Sequence, residues 1–240
     1  MYTLPALDKK ALAQITELSH ASGTDTSISI ETTSINRSFS LPPYVIASPG
    51  LLRLGSQNYA GKVIITSQEK IILSAGVMLS DAIVIAPAVS IEDGFTGSCQ
   101  VFASDSVTIG EKVKLTYPSV VCTLTDGDKT SIPQITVGKG TTISGLLLMD
   151  AGYDAINKRL NLIIAPEAMV VGTVYCNGIA DIGGDIIGSL YCLRLSTTFN
   201  SSRYDNHLIN SVVDVTRLPS GFAARNFLTD KSEKRIIKWL

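Results

Sequence analysis

The chain has 240 residues, of which 45% are apolar and only 17% charged, with a net charge of −1 and a pI of about 6.1. That length carries ample core for one large domain or two small ones. The near-neutral balance offers no basic face of the size that nucleic acid requires, which removes nucleic acid from the expected partners. No run of about 18 uncharged apolar residues marks a transmembrane helix, and the first ten residues lack the basic-then-apolar layout of a signal peptide.

In chain order, residues 4–19 read as a helix. Pro5 suits a first turn, Leu7, Ala11, Leu12, Ile15 and Leu18 make one apolar stripe, and Gly23 ends it. A stripe this short is expected to pack on the body of the protein. Residues 24–41 are rich in Ser and Thr, with Ile28, Ile30, Ile35, Phe39 and Leu41 spaced as in short strands, and Pro42-Pro43 breaks them.

The most regular stretch is Ile71 to Val121. In steps of six from Leu73 stand Leu73, Leu79, Ile85, Ile91, Gly97, Ala103, Ile109, Leu115 and Val121. Four places after each stand Val77, Ile83, Val89, Phe95, Val101, Val107, Val113 and Ser119. Fifteen of these 17 positions are apolar. A six-residue beat matches neither a helix, with a period of 3.6, nor one long strand, with a period of two. It matches short strand, corner, short strand, corner, the pattern of a parallel β-solenoid whose layers bury each other. Three beats make 18 residues, so Ile71, Val89 and Val107 fall in one column and Leu73, Ile91 and Ile109 in the next. The residues between, such as Glu92-Asp93-Gly94 and Gly110-Glu111-Lys112, have corner chemistry.

The beat fails at 122–134 and again at 150–159, where insertions are expected to leave a corner. Both carry paired acids, Asp126 with Asp128 and Asp150 with Asp154. They read as solvated loop carboxylates, since calcium wants six or more oxygens. Asp93 and Glu111 lie 18 apart at one corner and are the candidate acid pair for binding or cleaving a glycan.

From Leu160 to Leu195 a direct repeat stands out: Val170-Val-Gly-Thr-Val-Tyr-Cys176 matches Ile186-Ile-Gly-Ser-Leu-Tyr-Cys192, at a spacing of 16. Even positions from 170 to 192 are apolar or glycine, which puts one face inward and Tyr175 and Tyr191 outward, as a cross-strand pair or as a surface for a sugar or a partner. Cys99, Cys122, Cys176 and Cys192 form no CxxC pair and read as core thiols. A Cys176–Cys192 disulfide is the sharper alternative, because neighbouring layers lie about 4.8 Å apart. No metal or cofactor is expected. After a polar stretch at 197–206 and the break at Pro219-Ser-Gly221, residues 231–240 read as a terminal helix.

The stretch Gly172-Thr-Val-Tyr-Cys-Asn-Gly-Ile-Ala-Asp-Ile-Gly-Gly-Asp-Ile-Ile-Gly-Ser-Leu resembles the repeats of bactofilins, bacterial polymer-forming cytoskeletal proteins. The resemblance covers roughly 164–195. It implies a right-handed three-sided β-helix, end-to-end assembly without nucleotide, and association with the bacterial envelope. The long flanking segments depart from that family, and as caps they would oppose polymerisation.

The expected fold is therefore all-β: a single-stranded three-sided parallel β-helix over residues 45–196. Residues 1–44, a helix and an extended segment, are expected to pack on it, and residues 197–240, with a short terminal helix, to cap it. The expected function is a non-enzymatic scaffold, peripheral in the bacterial cell envelope, that self-associates or binds a secretion or cell-wall protein. Peripheral membrane contact and glycan are the further partners considered. The low-specificity interaction residues are Asp93, Glu111, Tyr175 and Tyr191. The alternatives are a carbohydrate-binding or carbohydrate-active β-helix and a hexapeptide-repeat acyltransferase. The latter needs a histidine base near the repeats, whereas His20 and His207 stand in the flanks.

Overall fold

The computed structural model describes residues 4–8, 10, 14, 17, 34–124, 132–150 and 160–223. The strands, in chain order, are β1 (Ser34–Arg37), β2 (Tyr44–Ser48), β3 (Leu52–Leu54), β4 (Asn58–Gly61), β5 (Val63–Ser67), β6 (Lys70–Leu73), β7 (Met78–Ile91), β8 (Thr96–Ile109), β9 (Lys114–Leu124), β10 (Gln134–Val137), β11 (Thr142–Asp150), β12 (Leu162–Ile164), β13 (Met169–Ile182), β14 (Asp185–Phe199) and β15 (Ser202–Asp205). The described protein is all-β, with one 3₁₀ turn at Val215–Arg217. Among the described strands, every pairing is parallel except β14 with β15. The pairings of β8, β10, β12, β13, β11 and β9 close a ring of six strands.

The apolar beat of the sequence becomes columns of register partners. In one, Leu54, Leu73, Ile91, Ile109, Val137, Ile164 and Ile182 follow each other strand by strand. Each is 2% exposed or less. In a second, Ile46, Ile65, Val84, Val101, Val121, Leu147, Val174 and Leu190 are successive partners. A third carries Ile35, Tyr59 and Leu79, then Gly97, Leu115, Ile143, Val170 and Ile186. Because strand side chains alternate sides, the odd or even set of each strand meets the others in one core. Full burial of each such aliphatic side chain stabilises by about 1.5–3 kcal/mol relative to exposure. At Gly97 the column lacks a side chain, and the Phe95 ring occupies the space, its Cζ 3.0 Å from where a Cβ would stand.

The two segments that interrupt the beat, 125–131 and 151–159, lie outside the described residues. Their points of departure are described: Leu124 and Asp150, the last residues of β9 and β11, are register partners. The insertions therefore leave neighbouring layers at one edge.

The helix expected over residues 4–19 does not include its first part, although Lys10, Gln14 and Glu17 have helical backbone. Leu4 to Asp8 form no helical turn, and much of the rest lies outside the described residues. The first apolar residues of this segment have a use outside a helix. Leu4 and Leu7 pack on a second apolar cluster, Ile64, Ile85, Phe102, Cys122, Leu146, Leu148 and Tyr175. This cluster lies on the outer side of strands whose inner side faces the main core: Val101 points in and Phe102 out. The Pro5 carbonyl accepts a hydrogen bond from the Tyr175 hydroxyl at 3.1 Å. The helix expected at 231–240 lies outside the described residues.

At the other end of the chain, β14 turns back as a hairpin with β15. Val213 then bridges to Ile186 in parallel, held by Ile186 N–H donating to Val212 O at 2.8 Å and Asp214 N–H donating to Ile186 O at 2.9 Å. Beyond the 3₁₀ turn the chain brings Phe222 against Tyr117, ring centroids 5.2 Å apart.

Candidate functional site

Asp93 and Glu111 are neighbours at one corner, as their spacing of 18 implies. The tie between them is structural: the Asp93 carboxylate accepts the backbone N–H of Glu111 at 2.7 Å. Both side chains are exposed. On the same edge Arg53 pairs with Glu92 at 2.5 Å and Lys139 with Glu167 at 3.1 Å. The Glu92 carboxyl is held below its ordinary range by its hydrogen bond to Ser74 and then by Arg53. Exposed pairs of this kind contribute little to stability. Asp93→Ala is expected to lower stability by about 1 kcal/mol or less, the scale of one exposed hydrogen bond, and thermal unfolding checks it.

Tyr175 and Tyr191 are register partners on the outer side of β13 and β14. Tyr175 is 5% exposed, its ring in the outer apolar cluster and its hydroxyl on Pro5. Tyr191 is half-buried at the cluster's margin. The chain's own N-terminal segment thus covers Tyr175. Burial, and secondarily the Asp150 carboxylate, push the Tyr175 hydroxyl up to about 12. A raised phenol means the folded state resists ionisation. Its contribution is intact below about pH 10, the unfolded value, and is lost as pH rises from there towards 12. Tyr175→Phe is expected to make the alkaline loss of stability shallower in that window, while costing about 1 kcal/mol at neutral pH for the lost hydrogen bond. Denaturant unfolding at a series of pH values reads both effects.

The most distinctive local chemistry is a column of glycines at another corner. Gly145, Gly172 and Gly188 follow Ser119 in register. They have φ of +143°, +139° and +148°, a region L side chains rarely adopt. A Cβ on any of them would collide with the carbonyl oxygen of the preceding member. Without side chains the corner is a groove, and Phe222 lies in it, its Cζ 2.9 Å from where a Cβ of Gly172 would stand. Beside it is a part-open cavity of about 240 Å³ lined by Gln100, Tyr117, Pro118, Leu146, Thr173 and Phe222. The Tyr117 hydroxyl donates to Ala223 O at 3.0 Å and holds the strap there. An aromatic, aliphatic and amide lining suits an apolar side chain or a short peptide better than charge-based chemistry.

The cysteines are free thiols. Burial pushes the Cys99 thiol up to about 12 and raises Cys122 further. Cys176 and Cys192 are register partners on the paired strands β13 and β14. Among the described residues no three His, Cys, Asp or Glu side chains group as metal ligands. Asp150 accepts from the Asn177 side chain at 2.8 Å, whereas Asp126, Asp128 and Asp154 lie outside the described residues. His207 contacts the Asp205 carbonyl at 2.7 Å, and His20 lies outside the described residues.

Comparison with protein-family models, curated proteins and solved structures found no match to this chain.

Proposed function

We propose that the three columns are the sides of one single-stranded, three-sided parallel β-solenoid, right-handed as in the bactofilins that residues 164–195 resemble. We further propose that the chain works as a non-enzymatic scaffold, peripheral in the bacterial envelope. It self-associates or holds a protein partner, such as a secretion or cell-wall component.

The observation that carries this reading is the register. Leu54 to Ile182 run through seven strands as one stack of aliphatic side chains without a break in pairing. Structures of this kind are extended and add layers at their ends. The unpaired edges support self-association. Among the described residues β1, β2 and β3 each pair on one side only, with β4, β5 and β6. Free strand edges accept further strands unless blocked. At the other end, β14 is continued by β15 and by Val213. The corner acids support a structural role over glycan chemistry, since Asp93 is spent on the Glu111 backbone.

Static light scattering with electron microscopy of the purified chain tests the proposal. Elongated assemblies growing with concentration are the expected result. A strictly monomeric species at high concentration, with no protein partner recovered, would sink it.

A further inference from the structure

We propose that Cys176 and Cys192 form a reversible dithiol–disulfide couple that fastens β14, the last strand of the parallel stack, to β13. The two residues are register partners in the same inward column. Cα atoms so placed on neighbouring strands sit about 4.8 Å apart, inside the range of roughly 4.4–6.8 Å that a disulfide spans. Both side chains belong to the main core, Cys176 within it and Cys192 packed against it. The other two cysteines lack this arrangement. Cys99 faces Ala82, and Cys122 lies between Phe102 and Leu148.

The two thiols differ in a way that assigns their roles. Cys176 is fully buried, whereas Cys192 is half-buried and within reach of solvent. The neighbouring Cys192 thiol, then burial, raises the Cys176 thiol, while the Cys176 thiol beside it lowers Cys192. Cys192 is therefore the thiolate that meets an oxidant first, and Cys176 the thiol that resolves it. With a low-molecular-weight disulfide such as oxidised glutathione, the Cys192 thiolate attacks one sulfur. The small disulfide bond breaks and one small thiolate leaves. Cys176 then gives up its proton and attacks the Cys192 sulfur, expelling the second small thiolate, which takes that proton. Two protein thiols become one disulfide, and the small disulfide is reduced to two thiols.

The ladder also explains why the couple is reversible. Side chains of in-register partners stand nearly as far apart at Cβ as at Cα, wider than the mean of about 3.8 Å in disulfides. The bond must draw the strands together, and the register irregularity that follows Cys176, before Ile179, gives the backbone room to do so. The strain that remains makes the bond easy to reduce. In the reduced state Cys192 donates to the Arg194 carbonyl at 3.1 Å, a bond that oxidation replaces.

The full chain, kept folded in excess oxidised glutathione, tests the proposal. Mass spectrometry after digestion is expected to find a Cys176–Cys192 linked peptide and a loss of two hydrogens from the intact protein. The thermal midpoint is expected to rise by about 5–10 °C and to fall back with dithiothreitol. Cys192→Ser should abolish the link and the shift, and Cys99→Ser should keep both. Glutathione left on Cys192 with no internal link, or both thiols still free, would overturn it. The wild-type peptide map decides the matter even if a variant fails to fold.

Discussion

Gly172→Ala is expected to lower stability by about 4 kcal/mol or more, at the extreme of single substitutions. Two costs combine. The backbone at φ +139° lies where an L residue is strained, about 1–3 kcal/mol for one residue. The new Cβ also lands on the carbonyl oxygen of Gly145 and against Phe222. The Phe222 ring can shift, but the Gly145 carbonyl cannot yield easily, because Gly145 is fixed by its own pairing to Ser119 and Gly172. Gly94→Ala separates the two costs. Gly94 has φ +72° but no atom within 4 Å of an added Cβ, so strain alone acts and about 1 kcal/mol is expected. Urea unfolding of the two variants side by side measures the difference. Equal, small losses would mean that the corner column is not closely packed.

Leu73→Ala is expected to cost about 3–4 kcal/mol, within the range for a buried leucine whose cavity cannot collapse. Leu73 is 0% exposed and stands between Leu54 and Ile91 in the first column. β6 is paired on both sides, by β3 and β7, so the space left by the side chain is bounded by fixed neighbours. Met78→Ala, at a residue 56% exposed, is expected to change stability by less than about 0.5 kcal/mol. The unfolding midpoints of the pair test the packing of the columns.

The columns were legible because the side-chain pattern repeats at the spacing of the layers. Leu73, Ile91 and Ile109 differ by 18 and are partners; Val170 and Ile186 differ by 16 and are partners too. Counting failed where insertions intervene. Gly145 and Gly172 belong to one corner with Gly188, but the segment 151–159 lengthens the first interval and hides the repeat. The outer apolar strip had a signal that a period-two reading passes over. Leu146-Leu147-Leu148-Met149 is apolar at both parities, the mark of a strand covered on both faces. The same strip explains why residues 4–8 are not helical: an apolar side chain every third residue serves a helix or an extended segment laid on a sheet. Asp93 and Glu111 illustrate a different limit. Their adjacency could be counted, but the use of one carboxylate on a backbone N–H depends on corner geometry. Tyr175 and Tyr191 were correctly paired by counting, yet what covers Tyr175 comes from a segment some 170 residues earlier, a contact no local pattern encodes.

Self-association of the kind proposed would run through the first strands of the stack, whose outer edges no described strand pairs. In β2, Tyr44 N–H and Ser48 C=O bond towards β5, so by strand alternation Val45 and Ala47 turn their backbone groups to the edge that no described strand covers. Ala47 is exposed, and proline is tolerated on edges, so Ala47→Pro removes one outward donor with little effect on the fold. Sedimentation velocity over a concentration series, for wild type and Ala47→Pro together, tests the claim most directly. The expected result is reversible association of the wild type that weakens at least several-fold in the variant, with unchanged thermal unfolding. A wild type that stays monomeric throughout, or a variant that associates as well as the wild type, would contradict it.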